Sequence, residues 1–119
     1  MGARINFVFK DGTDSSLVLY SHWGQTEWQT DLANALEHAK PRWGDSSYGT
    51  RMMISYFLKD DILSETGFGL YSINNTVSMD LGEQTVVINL LNKTVTDKVP
   101  VAWDKFVAAY STKVLAEIN

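Results

Sequence analysis

The sequence predicts an α+β fold in a single compact domain, in which an antiparallel sheet of N- and C-terminal hairpins packs around two central helices plus a C-terminal helix. Three observations predict it. The chain has 119 residues, the usual size of one domain with one core, so residues 1–119 are expected to form a single domain. Segments with the period of strands and of helices follow in the order ββααβββ(β)α. No internal repeat or low-complexity run divides the chain.

A hairpin is predicted at the N-terminus. In RINFVF every second residue from Ile5 to Phe9 is large and apolar, which is the period of a strand. Asp11-Gly12 is a turn signal, and LVLY (17–20) resumes as a second strand.

The first helix is predicted to follow the break at Gly24. Thr26 with Gln29 three residues later fits the capping-box pattern of a helix start. Apolar residues then recur at helical spacing, with Trp28 expected to face the core, and Pro41 ends the helix.

A second helix is predicted from about Tyr48 to Ile62, with Ser46 or Ser47 as its cap. Its apolar residues are nearly consecutive over residues 52–58. We therefore expect this helix at the centre of the fold, covered on several faces.

The remaining elements are expected to be mainly strands. GLYSI (69–73) and TVSMDL (76–81) have strand character, and QTVVINL (84–90) is expected to pair with KTVTDKV (93–99) as a C-terminal hairpin. Apolar residues at helical spacing predict a last helix over residues 102–117.

Composition excludes several classes of function. There is no cysteine, which removes disulfides, thiol nucleophiles and thiolate metal sites. The net charge is −4 and the ten basic residues are spread along the chain, so the long-range field opposes binding of duplex nucleic acid. No apolar run approaches the ~20 residues of a membrane span, and the N-terminus lacks the pattern of a secretory signal. We expect a cytosolic protein without membrane contact.

No catalytic or metal-binding arrangement is recognisable. His22 and His38 stand sixteen residues apart with no third ligand at a metal-site spacing. Ser21 and His22 are neighbours on a strand and would point to opposite faces. Asp60-Asp61 is expected to face water near a helix end. We therefore expect no catalytic residue, no metal and no cofactor.

Two features point to a ligand. Arg51, in the first turns of an otherwise apolar helix and beside Tyr48, is expected to be partly enclosed, and it then needs an internal carboxylate or a bound phosphate as its partner. The second feature is a set of aromatic residues in or beside predicted loops, which serve either as stacking surfaces for bases or as core and interface packing. These residues are Tyr20, Trp23, Trp43, Tyr48, Phe68 and Tyr71. The GFG at 67–69 is read as a strand entry, and its glycines also permit close approach of a flat ligand.

Four motifs identify a family resemblance. LYSHWG (19–24), PRW (41–43), SYGTR (47–51) and ETGFG (65–69) occur in the order typical of a family of small proteins encoded widely in bacteriophage genomes. The resemblance covers roughly residues 4–110, although Gly24-Gln25 replaces the family's usual tandem glycine. In size, layout and motifs the chain also resembles the Thoeris anti-defence sponges. LYSHWG itself is assigned to fold and subunit packing in preference to the ligand pocket.

The resemblance to the sponges implies a function. Members of that family bind and sequester, without cleaving, the cyclic ADP-ribose signal made by bacterial TIR-domain enzymes, in dimers that can build up to hexamers. Some also hold cyclic oligonucleotides. For this chain the resemblance implies a non-enzymatic phage counter-defence protein of the host bacterial cytoplasm, a homo-oligomer whose partner is a small anionic cyclic nucleotide such as glyco-cyclic ADP-ribose. The alternative is a phage adaptor protein that inhibits a host or defence enzyme by direct protein–protein contact.

The expected ligand-binding residues follow from this reading. The resemblance implies first that Arg51 in SYGTR contacts a phosphate of the ligand, with Tyr48 nearby. Phe68 and Tyr71 are stacking candidates, and Asn75 and Asn92 are candidates for contact with ribose or base edges, chosen by chemical type and predicted loop position.

Overall fold

A six-stranded sheet with three helices on one face forms the protein, as seen in a computed structural model that describes residues 4–22, 27–74 and 84–112. This architecture confirms the α+β class. The strands are β1 (Ile5–Lys10), β2 (Ser15–Ser21), β3 (Phe68–Asn74), β4 (Gln84–Asn89), β5 (Thr94–Thr96) and β6 (Pro100–Ala102). The helices are α1 (Trp28–Ala39), α2 (Ser46–Leu58) and α3 (Trp103–Tyr110), with a 3-10 turn at Lys40–Arg42.

The sheet has the strand order β3-β2-β1-β4-β5-β6. The N-terminal hairpin β1–β2 and the C-terminal hairpin β4–β5 are confirmed, and both are antiparallel. The two hairpins are joined by a parallel pair, in which Val8 of β1 lies beside Val87 of β4, so the sheet is antiparallel except at this pair. The short strand β6 was not predicted, and the predicted strand over 76–81 lies outside the described residues.

One hydrophobic core fills the space between the sheet and the helices. Phe7, Leu19 and Val86 reach it from three neighbouring strands, and all three are fully buried. They meet Leu32 of α1 and Phe106 of α3 in the same cluster. The described elements therefore share a single core.

The central helix is α1, and the prediction that α2 takes this place is wrong. α1 contacts both α2 and α3. Its small residues Ala33, Ala35 and Ala39 are fully buried, which lets neighbouring elements approach it on more than one side. In α2 the residues Met52 and Phe57 are only partly buried, because this helix lies at the flank of the helical layer.

Both predicted ends of α2 are wrong, and the predicted end of α1 is confirmed. Asp45, rather than Ser46 or Ser47, caps α2, because its Oδ1 accepts a hydrogen bond of 3.0 Å from the Tyr48 amide. α2 ends at Leu58, four residues before Ile62. Pro41 ends α1 as predicted, within the 3-10 turn that follows the helix.

The structure also bears on the predicted starts of α1 and β3. The predicted cap Thr26 lies outside the described residues, and α1 begins at Trp28, which is buried as expected. Gly67 has a φ of +101° immediately before β3, which confirms the reading of GFG as a strand entry.

Two tryptophans close the core near the 3-10 turn. Trp43 donates its indole N–H to the carbonyl of Leu36 at 2.9 Å, and Trp103 donates to the carbonyl of Thr94 at 3.0 Å. Their ring centroids are 5.3 Å apart in an edge-to-face arrangement. Of the two roles left open for Trp43, packing is the one the structure shows.

Candidate functional site

A cavity of about 950 Å³ lies between the first turns of α2, the β1–β2 turn and the helix-facing side of strands β2 and β3. Its floor is apolar and includes Phe9, Leu17 and Leu70. Eight of its lining residues carry hydroxyl groups, namely Thr13, Ser15, Ser16, Ser46, Ser47, Thr50, Ser55 and Ser72. A lining of this kind suits a ligand that combines an apolar ring with sugar or phosphate oxygens.

Arg51 is the cationic side chain that lines this cavity. The prediction that it is partly enclosed is wrong, because α2 lies at the flank of the helical layer and turns Thr50, Met53 and Ile54 inward. Its guanidinium donates a hydrogen bond of 3.3 Å to Ser55 Oγ and makes no ion pair with any residue that the structure describes. The internal carboxylate left open as its partner is therefore not found within that part of the chain.

Two carboxylates also line the cavity, and both are held by local hydrogen bonds. Asp11 Oδ1 accepts from the amide and the hydroxyl of Thr13 at 3.1 and 2.7 Å. The hydrogen bond from the Thr13 hydroxyl lowers the pKa of Asp11 below its usual range, so this carboxylate stays ionised. Asp45 is the cap of α2. Ionised carboxylates accept hydrogen bonds from sugar hydroxyls.

The other predicted ligand contacts do not converge on this cavity. Tyr48 is exposed, and the Arg42 guanidinium lies over its ring at 5.3 Å from the ring centroid. Tyr71 lies on the sheet face opposite the helices and donates to Asn6 Oδ1 at 3.2 Å. Of the five predicted residues that the structure describes, only Arg51 lines the cavity.

Phe68 and Asn92 lie in separate places, and the third remaining candidate, Asn75, is not among the described residues. Phe68 packs against the core and borders two smaller cavities. Asn92 is in the β4–β5 turn, where its amide donates to Asn89 Oδ1 at 2.9 Å. The roles assigned to these side chains stay predictions.

A second, smaller cavity of about 390 Å³ lies between α1, the end of α2 and the start of β3. Asp31, Lys59 and Asp61 line it. Burial raises the pKa of Asp31 above its usual range, the negative charge of Glu27 raises it further, and the positive charge of Lys59 opposes the shift.

Neither a metal site nor a membrane span is found in the described ranges 4–22, 27–74 and 84–112. No group of three or more histidine and acidic side chains in these ranges could hold a metal ion. None of their helices has the length and apolar character needed to cross a bilayer. Asp60 and Asp61 are exposed, as predicted.

Comparisons of the chain with protein families, with curated proteins and with solved structures find no match. The site is therefore interpreted from its own geometry and from the sequence.

Sequence reasoning missed most of the cavity. It selected Arg51 but treated Ser46 and Ser47 only as candidate caps, and it gave Thr50 no role. One sequence signal was available, since SSYGTR places three aliphatic hydroxyl groups and a guanidinium within the first turns of one helix.

Proposed function

We propose that this protein binds and sequesters, without cleaving it, a small anionic cyclic nucleotide signal such as glyco-cyclic ADP-ribose made by bacterial TIR-domain enzymes. It would do so as a phage counter-defence protein and homo-oligomer in the host bacterial cytoplasm. The observation that carries this proposal is the cavity beside α2, whose arginine has no ion-pair partner in the part of the chain that the structure describes.

The size and lining of the cavity support a ligand of this class. Its volume of about 950 Å³ lies near the upper end of the range for small-molecule sites, about 300–1,000 Å³. The apolar floor around Leu17 and Leu70 suits a base, and the hydroxyl groups of the lining suit ribose and phosphate oxygens.

In this proposal the basic and the acidic side chains of the cavity bind different parts of the ligand. The Arg51 guanidinium is a two-pronged donor for a phosphate group. The carboxylates of Asp11 and Asp45 are acceptors for ribose hydroxyl groups. Because the described lining carries two carboxylates and one guanidinium, we expect an anion to be held here by directed hydrogen bonds rather than by net local charge.

Sequestration accounts for the cavity better than hydrolysis does. General acid–base catalysis needs a group whose proton is free to move near neutral pH. Of the two carboxylates, Asp11 has a pKa lowered by the Thr13 hydroxyl, which makes it a poor acid and a weak base near neutral pH, and Asp45 is committed to the α2 cap. The lining in the described ranges contains no histidine.

The test is calorimetric titration of the whole chain with cyclic ADP-ribose isomers and with cyclic di- and trinucleotides. Arg51→Ala should weaken binding roughly 10- to 100-fold, since a hydrogen bond to a charged group contributes about 1.5–3 kcal/mol. Lys105→Ala removes the same charge from an exposed position of α3 and serves as the control. The complex is then heated and the released molecule weighed by mass spectrometry. Intact ligand supports sequestration, an altered product indicates an enzyme, and no binding of any of these nucleotides overturns the proposal.

A second candidate function, inhibition of a host or defence enzyme by direct contact, is favoured by one observation. Ile62 and Leu63 are neighbours after α2, and their side chains are 64% and 94% exposed. In infected cells a contact inhibitor should lose its effect with Leu63→Asp and keep it with Arg51→Ala. A sponge should show the reverse pattern.

A further inference from the structure

The N-terminus of α2 leaves two backbone donors without acceptors. Of the four amides that have no partner inside the helix, the Asp45 amide donates to the Arg42 carbonyl at 3.0 Å and the Tyr48 amide donates to Asp45 Oδ1 at 3.0 Å. The amides of Ser46 and Ser47 find no acceptor in the described part of the chain. Both residues line the cavity of about 950 Å³.

Thr50, one turn further along α2, supplies an independent observation. Its side chain is 9% exposed, and its Oγ1 is fully buried without a hydrogen-bond partner among the described residues. A buried polar atom without a partner costs about 1–3 kcal/mol, and such atoms are rare in folded proteins. Thr50 is among the residues that line the same cavity, so a rotation about its Cα–Cβ bond would bring this hydroxyl to an acceptor bound there.

We propose that the first turns of α2 form a binding site for a tetrahedral oxyanion, the phosphate group of the cavity's ligand. The donors are the amides of Ser46 and Ser47, the Thr50 hydroxyl and the Arg51 guanidinium, all within six consecutive residues. This site deepens the proposed function, on which it rests for the identity of the whole ligand.

Phosphate fits these donors because it offers several acceptor oxygens in a tetrahedral arrangement. A planar carboxylate has only two oxygens, with all their lone pairs in one plane, and so offers fewer acceptor directions to these donors than a phosphate does. The positive end of the α2 dipole adds to the attraction of an anion at this place. The Asp45 charge is directed at the Tyr48 amide, so the Ser46 and Ser47 amides stay free for the ligand.

Proline offers a substitution that removes one of these amides and keeps the helix. Ser46 is the first residue of α2, a position that proline favours. The preceding Asp45 has a φ of −126° and a ψ of 104°, an extended conformation that a following proline accepts. Ser46→Pro therefore deletes the N–H, and Ser46→Ala, which deletes only the hydroxyl, is its matched control.

The first arm of the experiment is a titration of the isotope-labelled chain with inorganic phosphate at constant ionic strength, followed by amide NMR shifts. We expect saturable shifts at Ser46, Ser47 and Thr50. Ser46→Pro and Thr50→Val should each weaken phosphate binding about tenfold, the loss of one hydrogen bond to an anion. Ser46→Ala should weaken it less, and Thr30→Val, the same change in α1 away from the cavity, should leave it unchanged. Absence of shifts at the start of α2, or wild-type binding by both Ser46→Pro and Thr50→Val, overturns the site.

The second arm repeats the calorimetric nucleotide titration with the same variants, which separates this inference from the proposed function. If a cyclic nucleotide binds and both Ser46→Pro and Thr50→Val weaken it, the oxyanion site is supported. If it binds and neither variant matters, the oxyanion site is overturned while sequestration stands. If no nucleotide binds but phosphate still shifts the α2 amides, the site is supported and the proposed function falls.

Discussion

The Cα of Gly49 faces the main-chain carbonyl of Arg42 so closely that a β-carbon on Gly49 would lie 2.6 Å from that oxygen. Real β-carbons do not approach a carbonyl oxygen to this distance. Gly49 therefore allows the first turn of α2, where Ser46 and Ser47 line the cavity, to pack against the 3-10 turn.

Gly49→Ala should destabilise the protein by about 1–3 kcal/mol, because a backbone carbonyl cannot move aside as a flexible side chain can. Urea unfolding followed by tryptophan fluorescence measures the change. Gly44→Ala is the matched control, since a β-carbon at Gly44 would meet nothing within 4 Å. Equal stability of the two variants would show that α2 shifts to relieve the contact.

Thr50→Val should raise the free energy of unfolding by about 1 kcal/mol in ligand-free protein. Valine keeps the shape of threonine and removes a buried hydroxyl without a partner, and the two residues have similar helix propensity. Thr30→Val in α1 provides the comparison. A destabilised Thr50→Val protein would mean that the hydroxyl has a partner in solution.

Asn34→Ala should cost about 1–3 kcal/mol and loosen the end of α3. Asn34 Oδ1 lies within hydrogen-bond distance of the Ser111 hydroxyl (3.2 Å), the Thr112 amide (3.0 Å) and the Thr112 hydroxyl (3.2 Å). Asn34→Asp keeps acceptor oxygens at this place and should lose less stability. Chemical denaturation gives the energies, and amide hydrogen exchange at Thr112 reports the local effect. Identical losses for the two variants would rule out the hydrogen bonds as the cause.

The fold class was predictable because strand and helix periods are local properties of the sequence. The parallel pairing of β1 with β4 was not, since Phe7 and Val86 are far apart in the chain and nothing local marks them as neighbours. The cap of α2 was missed for a different reason. Asp45, Ser46 and Ser47 are all good capping residues, and the sequence alone does not distinguish among them.

The candidate site was predictable only in part. The pattern in SYGTR singled out Arg51, but Tyr71 was chosen by chemical type alone. Strand alternation places Leu70 and Tyr71 on opposite faces of β3, and the sequence does not say which face meets the helices. Leu70 lines the cavity, and Tyr71 lies on the far side beside Asn6.

The ionisation of Asp31 makes the free energy of unfolding depend on pH, and the raised pKa of Asp31 fixes the direction of that dependence. Burial and the nearby Glu27 raise the pKa of Asp31 in the folded chain above its unfolded value. The folded state therefore binds more protons than the unfolded state between about pH 4 and the raised pKa, and across this window stability falls as pH rises. Below the window Asp31 is protonated in both states, and the free-energy penalty of ionising this partly buried carboxyl is absent.

Asp31→Asn should remove this penalty, so its stability relative to the wild type should increase as pH rises through the window and then level off. Asp11→Asn should show the opposite trend, because Thr13 lowers the pKa of Asp11 and the wild type loses that stabilisation as pH falls through the lowered value. Urea unfolding from pH 3 to pH 7 measures both differences. Glu27→Gln, with the Asp31 carboxyl followed by carbon-13 NMR, should bring the pKa of Asp31 down. Parallel pH profiles for Asp31→Asn and Asp11→Asn would contradict these assignments, since burial and hydrogen bonding must act on the two carboxyls with opposite sign.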